Sequence, residues 1–495
     1  MYRRSRRLKA ISRSLLITAV VVIIVVAAII AYLALPPTKT TTSPTTSVTS
    51  TTTTTTTTTS PSAKTLKLWI QAYASPIDRQ KWEQVYKEFE EKTGIKVQVS
   101  EFSAADLVAK FTAVLESGVP ETYPDLYAWS TTFNVMWASK GQLEPLDDIV
   151  DWLYKNWGND IVDQNFQMCK WIGPDGNRRY YAVSVGFVTQ SLFVRQDILE
   201  KAGLTLDDLS TFDRFNRSLY ILRDKLKEMN LNMFPLDIQV SAVAPTDGTY
   251  DYWLIWRLFS GVEPVDASGK IYVNDTQAHF DAHAKATALL SKWYKDGIIS
   301  KAALTEAEVD NNVNFLTGRS VMTPNGVASI YVQAKAQHPE WKIAVIPFPE
   351  NPASGASKTV ITEIRPYLIP AGLPSSRLEN AKAFLKFILN RTNYEKWFGT
   401  QGGFGWLDAP FYKSLLDKEP YLTDPVWKGV REGVLHGTMD PATIRPSFSQ
   451  LHARSFFMLT ASKVMLDVMT PQEAAQAIVK EIYSAVASYD KGFKA

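Results

Sequence analysis

Flat aromatic rings and small polar side chains stand together just past the short apolar runs of this sequence. Trp69, Gln71 and Tyr73 accompany LKLWI, while DLYAW ends in Trp129 and is followed by Ser130, Thr131 and Thr132. Asp247, Tyr250, Tyr252 and Trp253 fall in PTDGTYDYW, Asn325 and Gly326 follow VMTP, Glu363 and Arg365 interrupt the apolar run ITEIRPYLIP, and Trp406 ends GGFGW. Such a set suits a small polyhydroxylated ligand, a sugar above all. Rings cover its C–H faces, and amides, hydroxyls and carboxylates pair with its hydroxyl groups. Specificity follows because each buried polar group left unmatched costs about 1–3 kcal/mol. Every position also has a plainer reading. Trp69, Trp129 and Trp256 read as core residues, Asp247 as a helix cap, and Glu363 with Arg365 as structural charges.

Reaction chemistry is harder to find. His279 and His283 stand four apart in HFDAH, but Phe280 occupies the position where a zinc protease needs its glutamate. There is no G-x-S-x-G elbow, phosphate loop or calcium loop. Asp147, Asp148 and Asp151 read as the solvated end of a helix or loop rather than a glycosidase pair. The single Cys169 excludes an intramolecular disulfide and a multi-thiolate zinc site, and reads as a small buried residue. The sequence therefore predicts no enzyme, no metal and no cofactor.

The elements that would position these residues alternate between strand and helix. LKLWI is followed by Ile77–Lys92, with Trp82, Val85, Tyr86 and Phe89 on one helical face, and then by the alternating run IKVQVSEF. That order predicts a parallel β-α-β unit. YAVSV, IAVIPF and a helix over Asn380–Asn390 continue the pattern, so the class is α/β. A surface-structure or adhesion protein would not account for this order.

Residues 1–64 differ from everything after them. Eight of the 53 Lys and Arg lie there with no acid, leaving 45 basic against 50 acidic residues in the remaining 431, a balance of −5. A slightly acidic body argues against nucleic acid as a partner. Its length exceeds the roughly 250–300 residues at which single cores stop growing, which predicts two domains. Residues 1–14 are basic, and Leu15–Leu35 is uncharged and spans roughly 32 Å as a helix, enough for a bilayer core of about 30 Å. The positive flank orients 1–14 to the cytoplasm and all that follows to the outside. Residues 36–64 are mostly Thr, Ser and Pro, with nine threonines at 51–59, and read as a stalk.

Six segments, in order, resemble the family 1 extracellular solute-binding proteins, the group that includes maltose-binding protein. They are LKLWI through KTGIKV, YPDLYAW with SKGQLEPLDD, GNRRYYAVSVGFVTQSLFVRQDILEKAGL, FLTGRSVMTPNG, LENAKAFLKFIL and MTPQEAAQAIVKEI. The resemblance implies a two-lobe periplasmic-binding-protein-like fold with hinge-linked lobes, here preceded by a transmembrane helix and a Thr/Ser-rich stalk. One lobe would hold 65–182 and 366–440, the other 183–365 and 441–495. It also implies the substrate-binding component of an ABC importer. Its partners would be a sugar or oligosaccharide, permease subunits, and the bilayer through residues 15–35. Trp129 matches the family's ligand-stacking tryptophan, Asn325 and Gly326 a ligand-contacting turn, and His452 a further ring position. Ser184, where the family has Pro, and Val327 with Ala328, where it has an aromatic, bear on the ligand rather than the fold.

Overall fold

The computed structural model describes residues 64–73, 76–129, 133–398 and 407–491. The apolar stretch 15–35, nearly all of the stalk, Ser130, Thr131, Thr132 and Trp406 lie outside them. Among the described residues no helix is long and apolar enough to cross a membrane. They also include no cluster of three or more metal-ligating side chains.

Strand β1 (Thr65–Gln71) buries Leu66, Leu68 and Ile70 on alternate positions, as the period of two along a strand requires. The helix Pro76–Thr93 follows, and its Trp82, Val85, Tyr86 and Phe89 are buried on the face that the spacing predicts. Gly94, at φ 70°, ends it, and β2 (Lys96–Phe102) returns parallel to β1 with Leu68 opposite Val99. Strand β3 (Leu126–Ala128) adds parallel to the other side of β1. The predicted β-α-β opening is therefore present.

A hairpin of β4 (Lys170–Ile172) and β5 (Arg178–Tyr180) then leads into β6 (Val183–Arg195), thirteen residues long and buried throughout. The expected YAVSV strand is only its beginning. β7 (Phe234–Leu236), β8 (Ser320–Gly326), β9 (Ile343–Ile346), β10 (Ile361–Leu368) and β11 (Thr438–Met439) complete the set. The large sheet runs β2-β1-β3-β10-β6-β8-β7, with β9 on β6 and β11 on β10. The first half of β6 pairs antiparallel with β10, and its second half with β8 and β9. β10 reaches β3 at its far end through Tyr367 and Ala128. β6 and β10 thus join a parallel sheet on one side to a second group of strands on the other.

Two hydrophobic cores flank this crossing. One gathers Leu66, Phe111, Trp137, Phe187 and Phe384 among others; the second gathers Leu192, Leu222, Trp256, Trp293 and Ile478. β6 feeds both, with Phe187 in the first and Leu192 and Val194 in the second. Gly186 sits in β6 at φ 149°, and a Cβ there would lie 2.6 Å from the Ala409 carbonyl oxygen. Only glycine lets the segment around Ala409 approach the crossing strand so closely.

Several sequence expectations resolve locally. The helix over Asn380–Asn390 begins earlier, at Ser375 just after Pro374, and ends at Leu389. IAVIPF pairs only as far as Ile346, since Pro347 has no amide hydrogen for the ladder. Asp147 and Asp148 occupy the first turn of the helix Asp147–Trp157, as their reading as solvated carboxylates predicts. Cys169 is buried and unbridged.

Candidate ligand site at the crossing strands

Charged side chains are scarce in the interior, yet β10 carries two of them at its centre. Glu363 is 1% exposed, and Arg365 meets it with Nη1 3.0 Å from Oε2 and Nη2 3.3 Å from Oε1. The β10–β6 register slips between Ile364 and Pro366, so Arg365 sits at a bulge, a device that re-aims side chains next to functional sites. Gln190 of β6 donates to Glu363 Oε1 at 3.5 Å. Tyr250 Oη lies 3.0 Å from Glu363 Oε2 and 3.4 Å from Asp440 Oδ2. Asp440 is fully buried, follows β11, and accepts from the Ala442 amide through its other oxygen. Burial pushes its carboxyl up to about 7, the Ala442 bond opposing.

A second polar group adjoins the first at the start of the helix Pro245–Ser260. Asp247 does not cap that helix, contrary to one reading of the sequence. The exposed helical amides of Thr246 and Asp247 are instead met by Glu308, at 3.3 and 3.1 Å, from a loop sixty residues away. That geometry places a carboxylate at the positive end of the helix. The Asp247 side chain is left to accept from Asn311 at 2.8 Å. Burial, then the neighbouring Glu308, raise the Asp247 carboxyl well above the ordinary range, and burial brings Glu308 to about 7.

The aromatic candidates gather on the other side of β10. The Trp129 amide donates to the Pro366 carbonyl at 2.9 Å, one residue past Arg365. Its ring meets Trp82 at 5.2 Å, Tyr73 at 5.6 Å and Tyr367 at 6.4 Å between centroids. Trp129 is only 4% exposed but has φ 81°, a strained backbone for a bulky residue and one that collects at functional sites. Tyr73 is half-buried, donates to Tyr86 Oη at 3.2 Å, and is pushed by burial to about 12. The Phe133 amide donates to Ser449 Oγ at 3.1 Å, on the helix Pro446–Ala453 whose Phe448 and Leu451 belong to the second core.

The remaining candidates separate. Trp69 and Gln71 lie on β1, Trp69 packing edge-on against Phe102 at 5.3 Å. Asn325 and Gly326 are not a turn: they are the last residues of β8, which runs directly into the helix Val327–Gln337. Asn325 is buried and donates to Asn312 at 2.5 Å. Tyr252 and Trp253 require correction. Both point into the second core, because the helix starts earlier than PTDGTYDYW suggested and turns their faces inward. The Tyr252 hydroxyl pairs with His283 Nδ1 at 2.7 Å, and Trp253 packs on Phe457 at 4.6 Å. His283 uses its other nitrogen on the Val273 carbonyl and is pushed by burial to about 3, so the second histidine of HFDAH is a core residue. A surface depression lined by Lys292, Lys295, Asp467 and Pro471 includes none of the site residues.

Sequence reasoning missed Gln190, Glu308 and Asp440. Each lies far in sequence from its partner, and none follows a recognisable apolar run. His452, read from the sequence as a ring position, is 2% exposed; its ring lies edge-on to Tyr250 at 5.5 Å.

Carboxylates, amides, a guanidinium and a hydroxyl thus converge where two cores meet, beside a wall of rings. That arrangement holds acceptors and donors for a polar molecule but has no nucleophile–base pair. A family model for bacterial extracellular solute-binding proteins matches residues 84–425, more than half of the chain. No curated protein matches in sequence. Among solved structures, an ABC transporter solute-binding protein from Thermotoga lettingae bound with α-D-tagatose is similar, with a TM-score of 0.66 and 22% identity, covering 87% of this chain and all of that one. The GacH receptor of Streptomyces glaucescens, known with acarbose, gives 0.66 at 17% identity over 86% and 99%. The maltotriose-bound MalE domain of Bdellovibrio bacteriovorus gives 0.64 at 16% over 86% and 100%. These likenesses share the two-lobe α/β fold. With residues 84–425 matched by that family's model, the chain belongs to the bacterial extracellular solute-binding proteins.

Proposed function

We propose that this protein is the substrate-binding component of an ABC importer and that it captures a sugar or oligosaccharide at the β6–β10 crossing. The ligand passes from there to a membrane permease. Residues 65–182 with 366–440 form one lobe and 183–365 with 441–495 the other, hinged on the crossing strands. The observation that carries this reading is the buried group of Glu363, Arg365, Tyr250 and Gln190 on and against the strands that join two cores. Evolution of a stable core gives no reason to concentrate charge there, since removing charge from water is costly unless it is used. Trp129 and Tyr73 supply the flat face. The sugars bound by the three structural relatives support the ligand class.

Residues 15–35 anchor the protein in the cell membrane, with 1–14 inside and the stalk carrying the binding domain outside. The charge step and the uncharged span of the sequence support this. The full chain is expected to fractionate with membranes, and removal of residues 1–36 to release it; release without that removal contradicts the anchor. A thermal-shift screen against mono- and oligosaccharides tests the ligand class. A sugar at 100 times its Kd stabilises by about 2.7 kcal/mol, and a flat response across the panel contradicts sugar capture.

A further inference from the structure

Between Phe187 and Gln190 one edge of β6 changes partner. Phe187 bridges to Ala409, and Gln190 pairs with Gly326 at the end of β8. The segment that carries Ala409 is fastened to the first core: the Phe411 carbonyl accepts from the Val162 amide at 2.8 Å, and the Tyr412 hydroxyl donates to the Leu389 carbonyl at 2.6 Å. β8 comes from the second core, through Val321 and Met322. At the seam stands Asp408, 1% exposed. Its Oδ2 accepts from the Thr189 amide at 2.8 Å, from the Thr189 hydroxyl at 3.2 Å and from the Val327 amide at 3.0 Å. Val327 opens the helix Val327–Gln337 and packs in the first core. The carboxylate therefore holds the point at which the chain leaving β8 comes to rest on the first core. Hydrogen bonds to a charged acceptor are roughly twice as strong as neutral ones, and the positive end of the helix adds to this one.

We infer that Asp408 is a releasable latch between the two lobes, and that its bond to the Val327 amide sets how readily they part. Two properties separate it from the backbone ladder around it. The bond joins a side chain to the first turn of a helix, so it can be given up without breaking a strand pair. Giving it up also leaves no buried charge alone, because the Thr189 amide and hydroxyl stay on the same oxygen; a buried carboxylate stripped of every donor would oppose release. Thr189 precedes Gln190, which donates to Glu363, so the latch lies next to the proposed site on the same strand. Apparent affinity falls with the fraction of chains in the binding arrangement, and the latch raises that fraction.

This inference rests on the hinged lobes proposed above, but its test uses no ligand, so a failure of sugar capture leaves it standing. Lys87→Cys on the helix Pro76–Thr93 and Lys227→Cys on the helix Phe212–Glu228 give the full-length chain one exposed spin label over each core, while the buried Cys169 stays unlabelled. The distance between the labels is measured by pulsed electron spin resonance in the ligand-free chain. Val327→Pro removes the donated hydrogen: proline is favoured at the first position of a helix, and Gly326 before it, at φ −70° and ψ 136°, already has the extended backbone that a following proline requires. The population at longer distance should rise about threefold or more over the parent's. A smaller rise is expected for Asp408→Asn, which keeps an acceptor and loses the charge. A parent-like distribution in Val327→Pro, or in Asp408→Asn should Val327→Pro fail to fold, overturns the latch. A lower melting temperature with the parent's distribution makes the bond structural only and overturns it as well.

Discussion

The two sides of β10 are built on opposite principles. On one side Trp82, Tyr86, Trp129 and Tyr367 fill space ring against ring, and packing accounts for nearly all they do. On the other, Tyr250, Glu363 and Asp440 are equally buried but tied to one another and to Gln190 and Arg365 by hydrogen bonds, with His452 beside them. Burial alone therefore does not separate core from site here. The kind of contact does: rings packed on rings on one side, charged and polar groups paired on the other. The first side stabilises the fold by packing, and the second is where the proposed function places the ligand.

That contrast can be broken by substitution. Trp253→Ala, in the second core, removes a ring that packs on Phe457 and Trp256. It should lower stability by about 3–5 kcal/mol, seen in chemical unfolding, while the affinity of what remains folded is unchanged. A loss of affinity with little loss of stability would return Trp253 to the site.

Next in size is a pH effect at Asp440. Burial raises its folded pKa to about 7, against roughly 3.9 in the unfolded chain. The native state therefore holds the extra proton, and this contribution is complete below about pH 4 and is lost as pH rises through about 7. Asp440→Asn should gain stability relative to the parent across that window, by up to about 4 kcal/mol between the two limits. His452 works in the other sense: lowered to about 4 by burial, it costs stability as pH falls below about 6.5. Thermal unfolding in steps from pH 4 to 8 for both proteins checks the sign, and parallel curves would remove Asp440 from the buried group.

Trp129→Ala sharpens the comparison because this residue belongs to the packed side by burial and to the site by position. Its ring should contribute about 1–3 kcal/mol to sugar affinity if the ligand stacks on it, along with a stability loss from the cavity. Calorimetry and unfolding on the one variant separate these. Full affinity with a collapsed melting temperature assigns it wholly to the core. The smallest effect expected is that of salt on neutral-sugar affinity, which should change little between 0.05 and 0.5 M because no charge is exchanged.

The fold was legible because its signals are local and periodic. The face of the helix Pro76–Thr93, the alternation of β1 and β2, and the Gly94 stop all follow from residues next to one another. The extent of β6 was not, since Gly186 interrupts its pattern for a contact with Ala409 more than two hundred residues on. The site was half legible for the same reason. Glu363 and Arg365 stood out as charges in an apolar run, but their partners Gln190, Tyr250 and Asp440 come from three other segments. Tyr252 and Trp253 lie inside a helix that begins at Pro245, two residues before the cap that the sequence suggested at Asp247.

The most direct test compares the two sides in one measurement: calorimetric titration of the best-binding sugar into Glu363→Gln and Trp253→Ala, below the melting temperature of both. Loss of affinity in Glu363→Gln, with parent-like affinity in Trp253→Ala, is the predicted result. Parent-like affinity in Glu363→Gln would contradict a ligand site at the crossing strands.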